Sequence, residues 1–304
     1  YLRLARYFQG FDLLLSYNWG SMDAVMAHRL LSPFMALPPL IHHEDGFNAD
    51  ERVKRNWKRD GFRRLALPTA RHVMVPSETL REVARTGWGC SDAQIVKFDN
   101  GIKLADYVAP PPPPPIDKAP GTLWLGTVAG LREVKNLPAM VRALAACGEA
   151  CLHLIIAGEG PERGAIAAEA DRLGLADRVH LIGFQPRPAD IVPHFDMFAL
   201  SSFSEQQPIG LIEAMASGLP AACFGVGDIP HMVAPENAPF IVPPGDEDAL
   251  ARAIATLSAD AGLRARIGAA NRALAAARFD EGAMVGRFAA LYGAAMGAGD
   301  FARH

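Results

Sequence analysis

The sequence lacks a long hydrophobic run. No stretch of roughly 18 or more apolar residues occurs, so no segment reads as a membrane-spanning helix. Cysteine is scarce: Cys90, Cys147, Cys151 and Cys223 are the four present. The closest pair, Cys147 and Cys151, straddles an expected helix end and the following strand, which is not a zinc-finger spacing. Such usage fits a reducing, cytoplasmic compartment with the thiols acting as small buried hydrophobes. Strong charge of one sign is also missing. A net charge of −3 excludes the chain as a whole from nucleic-acid binding and makes any basic surface local. The opening residues carry no secretory-signal pattern. They do not begin with Met and form the amphipathic run Tyr1–Phe8, so an upstream segment is expected.

What is present is apolar and patterned. Half of the 304 residues are hydrophobic and 21% are charged, enough for a sizeable core and against wholesale disorder. The length allows about two domains at ~100–200 residues each. Short apolar runs alternate with helical periodicity. In the first part strands are expected at Leu13–Tyr17, Leu40–His43, His72–Val75 and Ile95–Phe98. Helices fall between them at Ser21–Leu31, Glu51–Leu67 and Ser77–Thr86, the last with Ser77 as its N-cap. Six consecutive prolines, Pro110 to Pro115, cannot sit in a helix or central strand and predict an extended linker over 109–120.

The alternation then restarts. Strands are expected at Thr122–Val128, Leu152–Ala157, Val179–Ile182, Met197–Leu200, Ala221–Phe224 and Phe240–Val242. Helices are expected at Leu137–Cys147, Glu162–Leu173, Leu211–Ser217, Asp248–Leu257 and Ala261–Arg278. Strand–helix alternation predicts an α/β fold with parallel sheets. Two Rossmann-like, doubly wound domains should span residues 1–108 and 121–280. The first looks one or two strand–helix units short, at ~30 residues per unit. Residues 281–304 should pack back on it. Ligands of such folds bind at the C-terminal edges of the strands, so the function is expected in a cleft there.

The most informative stretch is Ser201-Ser-Phe-Ser-Glu-Gln-Gln-Pro-Ile-Gly-Leu-Ile-Glu-Ala-Met-Ala-Ser-Gly-Leu-Pro220. A strand ends near Leu200, a loop carries Glu205 and Pro208, and a helix opens near Leu211 with Glu213 in its first turn. Such a helix start offers free N–H groups and the positive dipole end to an anion. Glu213 alone would equally suit an acidic residue complementing the dipole.

Glu205-x7-Glu213 followed by Ala-Met-Ala-x-Gly-x-Pro resembles the signature of retaining nucleotide-sugar glycosyltransferases of glycosyltransferase family 4, whose GT-B fold sets two Rossmann-like domains face to face. The resemblance runs over Thr122–Tyr292 and includes Val134-Lys-Asn-Leu137, Ala157-Gly-Glu-Gly-Pro161, Leu181-Ile-Gly-Phe184 and Val242-Pro-Pro-Gly-Asp246. It is looser in the first part, through Val75-Pro-Ser-Glu78 and Asp99-Asn-Gly-Ile102, and the family's glycine-rich first loop is missing.

The resemblance implies that Glu205 meets the hydroxyls of the donor sugar and Glu213 the nucleotide ribose. Lys135 would neutralise the diphosphate, cradled by the backbone of Ile209, Gly210 and Leu211 after Pro208. Gly183 and Phe184 would lie near the base. The chain departs from the pattern at Gly130, where the family carries Arg, and Arg132 is the nearby substitute. Gln206-Gln207 also replaces Gly and a bulky residue, which puts the usual sugar preference in doubt. Charge building on the leaving diphosphate would be stabilised by Lys135, Arg132 and the helix dipole, with neither metal nor cofactor.

Other motifs have competing readings. In His42-His-Glu-Asp45, adjacent strand residues point to opposite faces, against a shared metal. The resemblance implies a donor-sugar contact for His43, with His42 second; a structural histidine is the alternative. Asp246-Glu-Asp248 suits a helix cap better than a metal motif. Gly158-x-Gly160-x3-Gly164 suits a dinucleotide fingerprint and keeps an NAD(P) oxidoreductase as the alternative, beside a non-catalytic sugar-nucleotide binder. Within Glu51–Arg71, eight basic residues (Arg52, Lys54, Arg55, Lys58, Arg59, Arg63, Arg64 and Arg71) interleave with Val53, Trp57 and Leu65. Arg55, Arg59 and Arg63 share a helix face, which suits either an anionic membrane surface or solvent. The acceptor implied is a glycan or lipid-linked molecule.

Overall fold

The computed structural model describes residues 1–46 and 55–297. Two compact units divide the chain, residues 1–100 with 282 onward, and Gly101–Glu281.

The first unit runs α1 (Leu2–Phe8), β1 (Leu14–Tyr17), α2 (Met22–Leu31), β2 (Leu40–His43), α3 (Trp57–Ala66), β3 (His72–Val75), α4 (Glu78–Thr86) and β4 (Ile95–Lys97). Its sheet is parallel in the order β1-β2-β3-β4, with Leu14 opposite Leu40, Ile41 opposite His72 and Val73 opposite Ile95. Neighbouring strand residues serve opposite faces. Leu40 and Val73 pack with Val25, Leu67, Leu80 and Trp88 on one side. Ile41 and Met74 pack on the other with Ala295, Phe288 and Leu291 of the closing helix, Glu281–Met296. Ser77 caps α4 by accepting from Leu80 N at 3.0 Å.

Here the basic run departs from expectation. Arg63 is 0% exposed and holds Glu44, also 0% exposed, through Nε–Oε2 at 2.9 Å and Nη2–Oε1 at 3.2 Å. Its guanidinium also lies over the rings of Trp19 and Trp88. Arg59 lies over Trp19, and Arg55 pairs with Asp60 at 2.8 Å. The three arginines therefore do not form a free face. The reason is Glu44: a buried carboxylate needs a charged, hydrogen-bonding partner. The exposed side of α3 carries Trp57, Lys58, Arg64 and Leu65 instead. Glu51, Arg52, Val53 and Lys54 lie outside the described residues.

The second unit runs α5 (Ala105–Val108), β5 (Leu123–Val128), α6 (Leu137–Cys147), β6 (Leu152–Ala157), α7 (Arg163–Arg172), β7 (Val179–Leu181), β8 (Met197–Leu200), α8 (Ile209–Ala216), β9 (Ala221–Phe224), α9 (Ile229–Met232), β10 (Ile241–Val242), α10 (Glu247–Ala259) and α11 (Ala261–Arg278). All pairings are parallel, in the order β10-β9-β8-β5-β6-β7. Strand order reverses between β5 and β8, the switch point at which such sheets hold ligands. The strands are nearly all apolar, as burial on both faces requires. Among their fully covered side chains are Trp124, Leu125, Ile155, Phe198 and Phe224.

The proline run lies inside this unit and not at its border. Pro112 O accepts from His194 Nε2 at 2.7 Å, Ile116 packs on the core, and Lys118 pairs with Asp196 at 2.6 Å. Asp246 caps α10 by accepting from Ala249 N at 2.8 Å, as its spacing suggests. All four cysteines are free: Cys90 and Cys223 are buried, Cys147 is half-buried, and Cys151 is exposed, unlike the expected small buried hydrophobe.

Candidate functional site

At the switch point two loops meet. After β5 the chain runs through Arg132 and a short turn to Lys135, then takes left-handed Asn136 (φ 48°) into α6. After β8 it runs through Ser201 to Glu205 and enters α8. The loops are laced by Phe203 N to Val134 O at 2.9 Å and by Ser201 Oγ to Asn136 O at 2.9 Å. Lys135 and Glu205, 70 residues apart in sequence, thereby meet: Nζ lies 2.6 Å from Oε1. Ser202 Oγ donates to the same oxygen at 2.7 Å. The ammonium has three donors, so it can keep Glu205 and still receive an anion.

The start of α8 sits directly on the end of β5. A Cβ on Gly210 would lie 3.0 Å from Val128 O and 3.3 Å from the Phe198 ring, so a larger residue would push the helix start or these neighbours back by a few tenths of an ångström. The first amides of a helix have no intrahelical acceptor, so Ile209 and Gly210 present N–H groups at the switch point. Ile209 is exposed and Leu211 buried.

One expectation is corrected here. Helix α8 opens at Ile209 with Pro208 as N-cap, so Glu213 is the fifth helical residue and not in the first turn. It is 7% exposed, too deep to serve as a solvated complement to the dipole. Burial pushes its carboxyl up to about 7, and the hydrogen bond from Tyr107 opposes that shift. Tyr107 Oη donates to Glu213 Oε1 at 2.7 Å. Burial, and then the neighbouring Glu213 charge, hold this phenol well above its ordinary range, so it remains a donor. Sequence reasoning missed Tyr107. No motif flags it, and the only signal was the rule that a buried phenol needs an acceptor.

The remaining residues fall into place differently. Arg132 is exposed and, among the described residues, makes no ion pair; its Nε lies 3.6 Å from where a Gly130 Cβ would stand. Its side chain thus lies beside the space a side chain at position 130 would occupy. Gly183 is left-handed (φ 76°) after β7, and Phe184 is 71% exposed. His43 belongs to the first unit. Its ring stacks on Tyr17 at 4.5 Å, and Tyr292 Oη lies 3.1 Å from its Nε2. Burial, with His42 next to it, lowers its pKa to about 4, so it is neutral at physiological pH. His42 is engaged by Ser16 Oγ at 2.9 Å and Glu44 Oε2 at 3.4 Å. Among the described residues no three His, Cys, Asp or Glu side chains gather as a metal site.

Residues 115–274 of the 304 match the family described as glycosyl transferases group 1. The chain belongs to this family. Cβ atoms on Gly158 and Gly160 would collide with Ala129 O and Leu131 O, so their space is taken by the chain's own backbone. Among curated relatives, the chain is 31% identical over 141 residues to 2-deoxystreptamine N-acetyl-D-glucosaminyltransferase of Streptomyces fradiae, covering 45% of this chain and 34% of that protein. It is 29% identical over 160 residues to the lipopolysaccharide core biosynthesis glycosyltransferase LpsD of Rhizobium meliloti, covering 52% and 46%. The chain spans 34% to 57% of the length of the first curated relatives it matches. Its fold is GT-B. It matches Anabaena HepE in complex with UDP at TM-score 0.78 and 21% identity, over 96% of this chain and 81% of that one. It matches sucrose-phosphate synthase of Thermosynechococcus elongatus at 0.78 and 23%, over 96% and 75%.

Proposed function

We propose that this group 1 protein transfers a sugar from a nucleotide-diphospho-sugar donor to a glycan or lipid-linked acceptor, as a retaining member of glycosyltransferase family 4. The observation that carries this reading is the meeting of Lys135, Glu205 and the α8 N-terminus at the switch point of the second sheet. In the reaction the bond between the sugar C1 and the diphosphate oxygen breaks, and its electrons stay on the diphosphate. An acceptor hydroxyl bonds to C1 and gives up its proton to the released phosphate. Negative charge therefore grows where Lys135, Arg132 and the amides of Ile209 and Gly210 can stabilise it; one such donor supplies about 2.7–4 kcal/mol. Neither metal nor cofactor is needed for that role.

Glu213 accepts from the ribose, Gly183 and Phe184 flank the base, and Glu205 orients the sugar hydroxyls. The HepE complexes with UDP and UDP-glucose support a UDP donor. The lipopolysaccharide core function named for LpsD supports an acceptor of envelope polysaccharide or glycolipid synthesis. The exposed Trp57, Lys58, Arg64 and Leu65 of α3 suit contact with an anionic leaflet. No helix among the described residues is long and apolar enough to cross a membrane.

The test is turnover of a panel of UDP- and GDP-sugars, followed by release of the nucleoside diphosphate. One donor should be consumed, and Glu205→Ala should abolish consumption. Binding of NAD(P) with no nucleotide-sugar bound or consumed would overturn the reading.

A further inference from the structure

Glu213 is held by a residue from outside the signature. Tyr107 lies on α5, which is only four residues long, and packs its ring into the second unit's core beside Ile102. The ring needs no hydroxyl to fill that space. The hydroxyl has one role visible in the structure, the 2.7 Å hydrogen bond to Glu213 Oε1. A glutamate without that bond could rotate about its terminal torsion, which is broad and roughly two-fold.

We propose that Tyr107 is a positioning residue of the nucleotide site: its hydroxyl fixes the Glu213 carboxylate through Oε1 and leaves Oε2 to receive a ribose hydroxyl. This rests on the reading of Glu213 as the ribose acceptor. A pre-set acceptor spares the ligand the cost of ordering it. The same bond favours the charged carboxylate, which burial disfavours.

The other groups around α8 leave this role to Tyr107. Glu213 is the only ionisable residue within Ile209–Ala216. On α5, Asp106 pairs with Lys103 at 3.4 Å. From α11, Arg272 donates to Ser217 O and Asn271 to Leu219 O. From the turn Val192–His194, His194 is bonded to Pro112 O. On β9, Cys223 is buried, its thiol pushed up to about 12, and stays neutral. On the loop before α8, Glu205 is engaged by Lys135 and Ser202.

The sign of the pH effect follows. Removing the phenol hydroxyl removes a bond to the charged form, so Glu213 should titrate higher still. More of it is then protonated near neutral pH, and that part of the loss is recovered as pH rises.

The experiment has two arms on the full chain. The Glu213 side-chain carboxyl is titrated by carbon-13 NMR without ligand, in the unmodified protein and in Tyr107→Phe. The midpoint should rise by about one pH unit or more; an unchanged midpoint overturns the proposal. UDP and GDP are then titrated calorimetrically between about pH 6 and about pH 9. Tyr107→Phe should bind about tenfold more weakly near pH 7, with the gap narrowing by about pH 9 to the part owed to positioning. An equal loss at every pH marks a packing role and also overturns it. If Glu213→Gln binds both nucleotides like the unmodified protein while Tyr107→Phe moves the NMR midpoint, the ribose reading fails and the coupling of Tyr107 to Glu213 stands.

Discussion

The two units each bury a glutamate, and they treat it in opposite ways. Glu44 in the first unit is met by two nitrogens of the fully buried Arg63 guanidinium, itself flanked by the Trp19 and Trp88 rings, and by His42. Its charge is balanced within the fold. Glu213 in the second unit has a neutral phenol as its partner, and burial raises its carboxyl to about 7. A charge satisfied internally is architecture, whereas one left with a single neutral donor is poised for a ligand that brings more hydrogen bonds. The pair Lys135–Glu205 lies between these cases, because it is joined yet only partly covered, with side chains 15% and 9% exposed.

The largest expected effect breaks the first half of this comparison. Arg63→Ala or Glu44→Gln should destabilise the protein by about 3–5 kcal/mol, since one buried charge loses its partner. Urea unfolding measures this; a loss below about 1 kcal/mol would place Glu44 with the poised group and not the satisfied one.

Glu213→Gln should do the reverse to the ligand-free fold. The folded pKa lies above the ordinary value of 4.5, so the stability tied to this group is present at low pH and lost as pH rises through about 7. The variant should match the unmodified protein near about pH 4, below both midpoints, and exceed it near about pH 8. The difference should reach up to roughly 3 kcal/mol, since each pH unit separating the folded and unfolded midpoints is equivalent to about 1.36 kcal/mol. Denaturant curves at the two pH values check this.

Smaller effects sharpen the second half. Lys135→Ala should weaken nucleoside diphosphate binding about tenfold or more, a charge-assisted bond contributing about 1.5–3 kcal/mol, and leave the free nucleoside nearly untouched. Calorimetry with both ligands separates this from misfolding, which would weaken both alike. The least effect is expected at the surface. Changing Lys58 and Arg64 to Glu should remove flotation with anionic vesicles at low salt, each basic residue contributing about 1 kcal/mol there. If the unmodified protein ignores such vesicles, the exposed face of α3 is simply solvated.

The two units are also unequally legible in the sequence. In the second, the strands Leu152–Ala157, Met197–Leu200 and Ala221–Phe224 stand where their apolar runs place them. Glu205 and Lys135 are legible because local motifs carry them to strand ends that topology brings together. Helix α8 starts two residues earlier than its periodicity indicates, since Ile209 and Gly210 look like loop until the end of β5 requires their close approach. Tyr107 is illegible because its partner is 106 residues away and no pattern links them. In the first unit, helical spacing puts Arg59 and Arg63 on one face, but Arg55 precedes α3, which opens only at Trp57. Spacing cannot say which way that face points, because that depends on where Glu44 is buried. The proline run has the same ambiguity: its stiffness is evident, but its attachment to His194, and that of Lys118 beyond it to Asp196, is not.

The central claim is that Glu213 is left poised in order to hold the ribose of a nucleotide at the switch point of the second unit. Calorimetric titration of UDP and GDP into the full chain and into Glu213→Gln, near pH 8 where the carboxyl is charged, tests it most directly. One nucleotide should bind the unmodified protein at least about tenfold more tightly than the variant, because a charge-assisted acceptor is lost. Equal affinity in the two proteins would contradict the account.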